Sequence, residues 1–195
     1  MPLTNKTKYA VLGILNCIPM SGYDIKKFSD GSIAHFWNDD YARIYPVLKE
    51  LERDGLVTKV TAQSSPGRPP KNIYSITDGG KEELNKWLLL PVEDVRPREE
   101  ILLKLFFGKK LPVDNIMDKL KAEKQKCQNY IEEYLGIEQC LKTGQATRDE
   151  PALPLWLATI NYGKLYRQAI ITWCDQTLAS VEQVTRVPQE LQAVK

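Results

Sequence analysis

The chain has 195 residues, 43% of them hydrophobic, which is enough to bury the core of one or two globular domains. Its formal charge is only +2. The surplus lies in residues 1–90 (12 Lys/Arg against 10 Asp/Glu) and not beyond (15 against 15), so charge alone does not argue for nucleic acid. No run approaches the roughly 18 apolar residues of a membrane span.

The apolar N-terminus behind Lys6 and Lys8 is broken by Gly13 and Asn16 and lacks a small-residue cleavage site, so a cytoplasmic protein is expected. The only histidine is His35, and Cys17, Cys127, Cys140 and Cys174 show no paired spacing. That excludes the familiar zinc patterns and predicts reduced, mostly packed thiols. With no nucleophile–base pair, metal cluster or phosphate loop, neither an enzyme nor a cofactor is expected.

Residues Asn5 to Ile18 read as a helix apolar on most sides, with Tyr9, Leu12, Ile14 and Leu15 among small Ala10 and Gly13, and Pro19-Met20 ends it. Ser21 then caps a short helix through Phe28, with Asp24 at its third position and Ile25 and Phe28 three apart. Ser29 to Trp37 is a connection expected to fold Ile33, Phe36 and Trp37 inward. A third helix follows, capped by Asn38, Asp39 or Asp40 and apolar at Ile44, Val47, Leu48 and Leu51. Pro46 requires it to begin only a turn or so earlier or to kink, and Asp54-Gly55 closes it.

After Gly55 the period changes to two. Leu56–Thr61 and Lys71–Thr77 are β-branched and aromatic runs flanking a proline-bounded turn that carries Arg68. Helix followed by a two-stranded wing is the reading head of a winged helix-turn-helix. Thr77-Asp78 caps the next helix, Gly79 to Leu90, whose Leu84, Trp87 and Leu88 form a stripe; Trp37 and Trp87 are assigned to the core.

Acidic, proline-bounded Pro91–Pro97 is a plausible junction, after which everything reads helical. Arg98 to Gly108 carries Ile101, Leu102, Leu105 and Phe106. Pro112 opens a long helix to about Thr143, with a heptad seam of Val113, Met117, Leu120, Lys124, Cys127, Ile131, Tyr134, Glu138 and Leu141. Gly144 to Pro154 is a loop. The last helix, to about Val184, has two apolar stripes, one of Trp156, Ile160, Gly163, Ile170, Cys174 and Val181, the other of Tyr162, Tyr166, Ala169 and Trp173. A helix apolar on two faces needs cover from two directions, which a second subunit supplies. The fold expected is mainly α with a small two-stranded β wing. A DNA-binding head over 1–90 precedes a long-helix dimerisation and effector domain over 97–185 and a flexible tail over 186–195.

Specific motifs add a family. Tyr9-Ala-Val-Leu-Gly-Ile-Leu, Ser21-Gly-Tyr-Asp-Ile, Ile44-Tyr-Pro-Val-Leu-Lys-Glu-Leu-Glu-Arg-Asp-Gly-Leu-Val, Gly67-Arg-Pro-Pro-Lys and Tyr74-Ser-Ile-Thr-Asp-Gly-Gly follow in unbroken order over roughly residues 5–90. They resemble the PadR family of bacterial transcriptional regulators, of the longer type, and residues 97–185 look like its virulence-activator C-terminal domain. The resemblance implies a homodimer binding an inverted repeat, usually as a repressor, and often releasing DNA when a small molecule binds. Many members carry Ser-Pro-Gly or similar ahead of the recognition helix, where this chain has Trp37-Asn-Asp-Asp-Tyr-Ala-Arg. Base preference therefore does not carry over.

A recognition helix in the major groove presents its N-terminal side chains, here Asp40, Tyr41, Arg43 and Tyr45, to base edges, with Lys49 reaching a phosphate. Arg43 suits guanine O6/N7; its competing role is an ion pair with Asp39, Asp40 or Glu50. Tyr45 suits a phosphate, or a packed ring with only its hydroxyl outside. Arg68 between Gly67 and Pro69 fits a narrow minor groove, against the plainer role of an exposed turn arginine. Ser64, Ser65 and Lys71 are lesser phosphate partners. Trp156, Tyr162, Tyr166 and Trp173 are candidates to line a dimer-interface pocket for a flat aromatic or phenolic effector, although aromatics at helical spacing are more often plain core. The competing function is a winged-helix module that binds protein with weak or no specific DNA binding, which the acidic Asp39-Asp40 supports.

Overall fold

The computed structural model describes residues 6–37, 43–62, 71–93, 98–144 and 150–186. The candidates Tyr41, Ser64, Ser65 and Arg68, the proposed caps Asn38, Asp39 and Asp40, and the terminal tail lie outside them. The chain divides after Asp94 into two compact units.

The first unit runs α1 (Lys6–Cys17), β1 (Met20–Ser21), α2 (Gly22–Asp30), α3 (Ile44–Arg53), β2 (Val57–Ala62), β3 (Lys71–Ile76) and α4 (Asp78–Leu88). Helix α1 is its centre: Val11, Leu12, Ile14 and Leu15 are all buried, packed in one cluster with Ile25 of α2 and Ile44, Val47, Leu48 and Leu51 of α3. Fully burying each such side chain contributes roughly 1.5–3 kcal/mol. The capping box at α2 is complete: Asp24 N–H donates to Ser21 Oγ (3.3 Å), and Ser21 N–H donates back to the Asp24 carboxylate (3.4 Å).

Helix α3 begins at Ile44 with Arg43 at its cap position and no side-chain cap bond. Pro46 therefore falls in the first turn, where its missing N–H costs nothing. The C-terminus is a Schellman closure. Gly55 takes φ +70°, Gly55 N–H donates to Glu52 C=O (3.1 Å) and Leu56 N–H to Leu51 C=O (2.9 Å).

The wing has a third strand that the sequence reading lacked. Strand β1 pairs antiparallel with β3 (Met20 opposite Tyr74, Ser21 opposite Ile73), giving the order β1-β3-β2. Two residues are too short to show a period, and their partner is distant in sequence. Thr77 ties the wing to α4: its N–H donates to Leu56 C=O (3.0 Å), its Oγ1 donates to Gly55 C=O (2.8 Å) and accepts from Gly80 N–H (3.0 Å).

One expected inward residue and one member of an apolar stripe turn outward. Phe36 is 53% exposed, because the turn that bonds the Phe36 and Trp37 N–H groups to Ile33 C=O brings Ile33 and Trp37 inward, where they line a small cavity with Thr7 and Ile44. Leu88 is 62% exposed, and α4 ends there and not at Leu90. Trp87 takes the contact instead, its ring stacked on Tyr9 at 4.6 Å, and the next residue turns about 100° away.

The second unit holds α5 (Glu100–Phe106), a 3-10 turn, α6 (Val113–Thr143) and α7 (Leu153–Arg186). Helix α5 buries none of its residues; Leu102 and Phe106 are exposed. Helices α6 and α7 run antiparallel, as the cross-pairs Lys124–Asp175 (2.6 Å) and Glu138–Lys164 require. The heptad seam is real. Leu120, Cys127 and Tyr134 are buried and none of the other six positions is exposed. Its two polar members, Lys124 and Glu138, are the residues that form those cross-pairs.

On α7 the first stripe meets α6, with Ile160, Gly163 and Cys174 buried, whereas Trp156 stands partly outside. The Tyr134 ring lies flat against Gly163, where a Cβ would come within 2.6 Å of Tyr134 Cζ. The cysteines split evenly: Cys127 and Cys174 are buried, Cys17 and Cys140 exposed, and none is in a disulfide, so packing covers fewer thiols than expected.

Candidate nucleic-acid interface

Helix α3 is divided lengthwise by its sequence. Ile44, Val47, Leu48 and Leu51 face the core, Tyr45 and Lys49 are exposed on the other side, and Arg43 is exposed at the cap position just before the helix. Tyr45 and Lys49 stand one turn apart on the same face. The Tyr45 ring, 57% exposed, rests on Gly22, where a Cβ would lie 2.8 Å from Tyr45 Cε1. The glycine of Ser21-Gly-Tyr-Asp-Ile thus seats α3 on α2. The alternative of a packed ring with only its hydroxyl outside does not describe Tyr45, although one edge of the ring is seated. Farther along, Arg53 is occupied by Asp54 (2.9 Å), and Lys59 of β2 reaches Glu52 (3.3 Å), which braces the wing against α3.

Lys71, a lesser phosphate candidate, is paired within the head. Its ammonium lies 2.7 Å from Asp24 Oδ2, and that bond, followed by the one from Ser21, holds the Asp24 carboxyl below the usual carboxylate range. Reading the sequence element by element missed this pair, since Asp24 was accounted for by its cap. The signal available was an acid and a base on two elements that both border β1. Tyr23, also unremarked, is exposed beside Gly22 at the start of α2.

The aromatic candidates of the second unit are only partly united. Tyr162 and Tyr166, one turn apart on α7, stack nearly parallel with centroids 6.3 Å apart. Tyr166 Oη donates to Glu99 (2.6 Å), and that bond, with burial second, pushes its phenol up to about 12. Arg167 lies over the Tyr130 ring at 4.4 Å, and its Nε is buried without a hydrogen-bond partner. Trp156 and Trp173 make no ring contact with the tyrosine pair among the described residues. Tyr162 is 67% exposed and Ala169 is also open, so the second stripe of α7 is largely uncovered in the single chain. Among the described residues no group of three or more His, Cys, Asp or Glu could hold a metal, and no helix is long and apolar enough to cross a membrane.

Known proteins share this arrangement. The profile of the Transcriptional regulator PadR-like family matches residues 11–86, and that of the Virulence activator alpha C-terminal domain matches residues 97–182. The Negative transcriptional regulator PadR of Bacillus subtilis (strain 168) is 34% identical over 186 residues, spanning 90% of this chain and 97% of its own. The crystal structure of Bacillus subtilis PadR in complex with operator DNA superposes with a TM-score of 0.76 at 26% identity, covering 90% of this chain and 98% of that one. The structure of the same protein with p-coumaric acid gives 0.71 at 26% identity, over 90% and 98%. The chain belongs to the PadR-like family of transcriptional regulators, a family of winged-helix regulators and not of enzymes.

Proposed function

We propose that the chain is a homodimeric repressor that reads an inverted-repeat operator and lets go of it when a small aromatic acid binds. The observation that carries this is the lengthwise division of α3, with Tyr45 and Lys49 exposed opposite a packed face and Arg43 exposed at its start, in a chain similar along 90% of its length to a regulator solved on its operator. In this reading Arg43 at the helix start contacts a base edge, and Lys49 and the Tyr45 hydroxyl contact phosphates. Tyr41, Arg68, Ser64 and Ser65 remain candidates for DNA contact on their sequence alone. Lys71 enters in a different role, taken up below.

Dimerisation answers the uncovered second face of α7, which a partner helix would bury. Two heads on one two-fold axis require a two-fold operator. The effector reading rests on the Tyr162–Tyr166 pair, with Trp156 and Trp173 on the same helix, and gains support from the Bacillus subtilis relative solved with p-coumaric acid. Such a protein works in the cytoplasm, where its DNA lies.

The test is a fluorescence-anisotropy titration against the promoter upstream of the chain's own gene at two salt concentrations. Tight binding that weakens steeply with salt, at two protomers per site, followed by release on adding p-coumarate, is the expected result. Arg43→Ala should cost about 1–3 kcal/mol and relax discrimination at one base pair. Binding no better than to a scrambled duplex would instead favour a head that docks on protein.

A further inference from the structure

We propose that Asp24 is a positioning residue for the wing: its ion pair with Lys71 latches the outer end of the β2–β3 ladder to the start of α2, and Lys71 serves the head through that latch and not as a phosphate ligand. For its DNA readout this rests on the operator-binding reading above.

Lys71 is the first residue of β3 and lies opposite Ala62, the last of β2, so it stands at the ladder's outer end. Strand β1 grips β3 only at Ile73 and Tyr74. The outer pairs, Thr61 with Asn72 and Ala62 with Lys71, therefore lack a third strand, and a two-stranded ribbon alone is marginal in water. The ion pair supplies the missing tie at 2.7 Å.

The acceptor is well held. Asp24 takes a hydrogen bond from Ser21 Oγ (2.7 Å) and one from Ser21 N–H (3.4 Å), and Ser21 itself pairs with Ile73 in β1. The connections close a ring: Asp24 to Ser21, Ser21 to Ile73, along β3 to Lys71, and back to Asp24. An ammonium meeting an immobilised carboxylate loses less side-chain freedom than a pair of two mobile chains. A lysine already neutralised in this way also has little charge to offer DNA.

The two roles for Lys71 predict opposite signs. If Lys71 bound phosphate, Asp24 would compete with DNA, and removing its charge would tighten binding. If the pair is a latch, removing either member loosens the wing and weakens binding.

The experiment uses the full chain and the variants Asp24→Asn, Lys71→Met, the double variant, and the charge swap Asp24→Lys/Lys71→Asp. Hydrogen–deuterium exchange of the peptide covering residues 57–76 is measured without DNA, and operator binding is measured at several salt concentrations. The latch predicts that each single variant speeds wing exchange about two- to five-fold, the range for a half-exposed pair, and that the double variant adds nothing. The swap should recover part of the loss. Operator affinity should fall by a similar factor in both single variants with the salt slope unchanged.

Unchanged wing exchange in both single variants would overturn the proposal. So would tighter binding by Asp24→Asn, or a salt slope reduced by about one per protomer in Lys71→Met. Lys71→Met leaves the capping box intact, so it decides the matter even if Asp24→Asn frays α2. A wild-type chain that ignores its operator would sink the DNA-binding reading, and the exchange data would still decide on the latch.

Discussion

Gly79 and Gly80 are neighbours in the first turn of α4, and the structure assigns them opposite tolerances. A Cβ on Gly79 would meet only Thr77 Oγ1 at 3.7 Å, an ordinary contact. A Cβ on Gly80 would lie far inside van der Waals contact distance of the Leu56 carbonyl oxygen, 2.7 Å from Ile76 Cγ1 and 3.1 Å from the Leu56 carbonyl carbon. Leu56 cannot simply retreat, because its carbonyl accepts the Thr77 N–H at 3.0 Å and so fixes the base of the wing. Overpacking costs about 1–3 kcal/mol and the strained hydrogen bond roughly another 1. The better helix propensity of alanine returns at most about 1. Gly80→Ala should therefore lose about 1–3 kcal/mol, or roughly 5–20 °C in Tm for a unit of about a hundred residues. Gly79→Ala should melt at or slightly above the wild type. Differential scanning calorimetry of the three proteins is the assay. A Gly80→Ala protein melting within about 2 °C of wild type would refute the reasoning that a fixed backbone carbonyl, and not propensity, decides this position.

Other expectations come from the helix pair. Gly163→Ala should destabilise the second unit by about 1–3 kcal/mol, since Tyr134 is buried against it; combining it with Tyr134→Leu should restore part of the loss in a double-mutant cycle. Bonds from Lys142, then Lys164, hold the Glu138 carboxyl down at about 2. Its folded-state pKa is depressed, so its contribution is complete above the ordinary glutamate value and lost as pH falls toward 2. The melting-temperature gap between wild type and Glu138→Gln should thus be largest near neutral pH, begin to narrow below about pH 4 and vanish only near pH 2, and a gap independent of pH would contradict it. Burial pushes the Cys127 and Cys174 thiols up, so native-state alkylation read by mass spectrometry should mark Cys17 and Cys140 and reach the other two only after denaturation.

Local chemistry made much of the fold legible. The Ser21–Asp24 capping box, the left-handed Gly55 and the Thr77 cap each follow from a few adjacent residues, and the structure shows all three. The heptad seam of α6 was legible as well, including its polar members, because periodicity reports a covered face whatever covers it. What escaped depends on partners far apart in the chain. Strand β1 exists because β3 arrives beside it. Phe36 and Leu88 turn outward because a neighbouring aromatic, Trp37 or Trp87, takes the inward position, and apolarity alone does not rank two adjacent candidates. The Asp24–Lys71 pair is the same case at the candidate site: each residue had a sufficient local explanation, and only the packing of the wing on α2 brings them within 2.7 Å.

The central claim, a two-headed reader of symmetric DNA, is tested most directly by selecting duplexes from a random pool on the wild-type chain and sequencing those retained. The account predicts convergence on an inverted repeat whose half-site centres lie about 10 base pairs, or a multiple of that, apart. A pool that stays random, or one that enriches a single half-site with no symmetric companion, would contradict it.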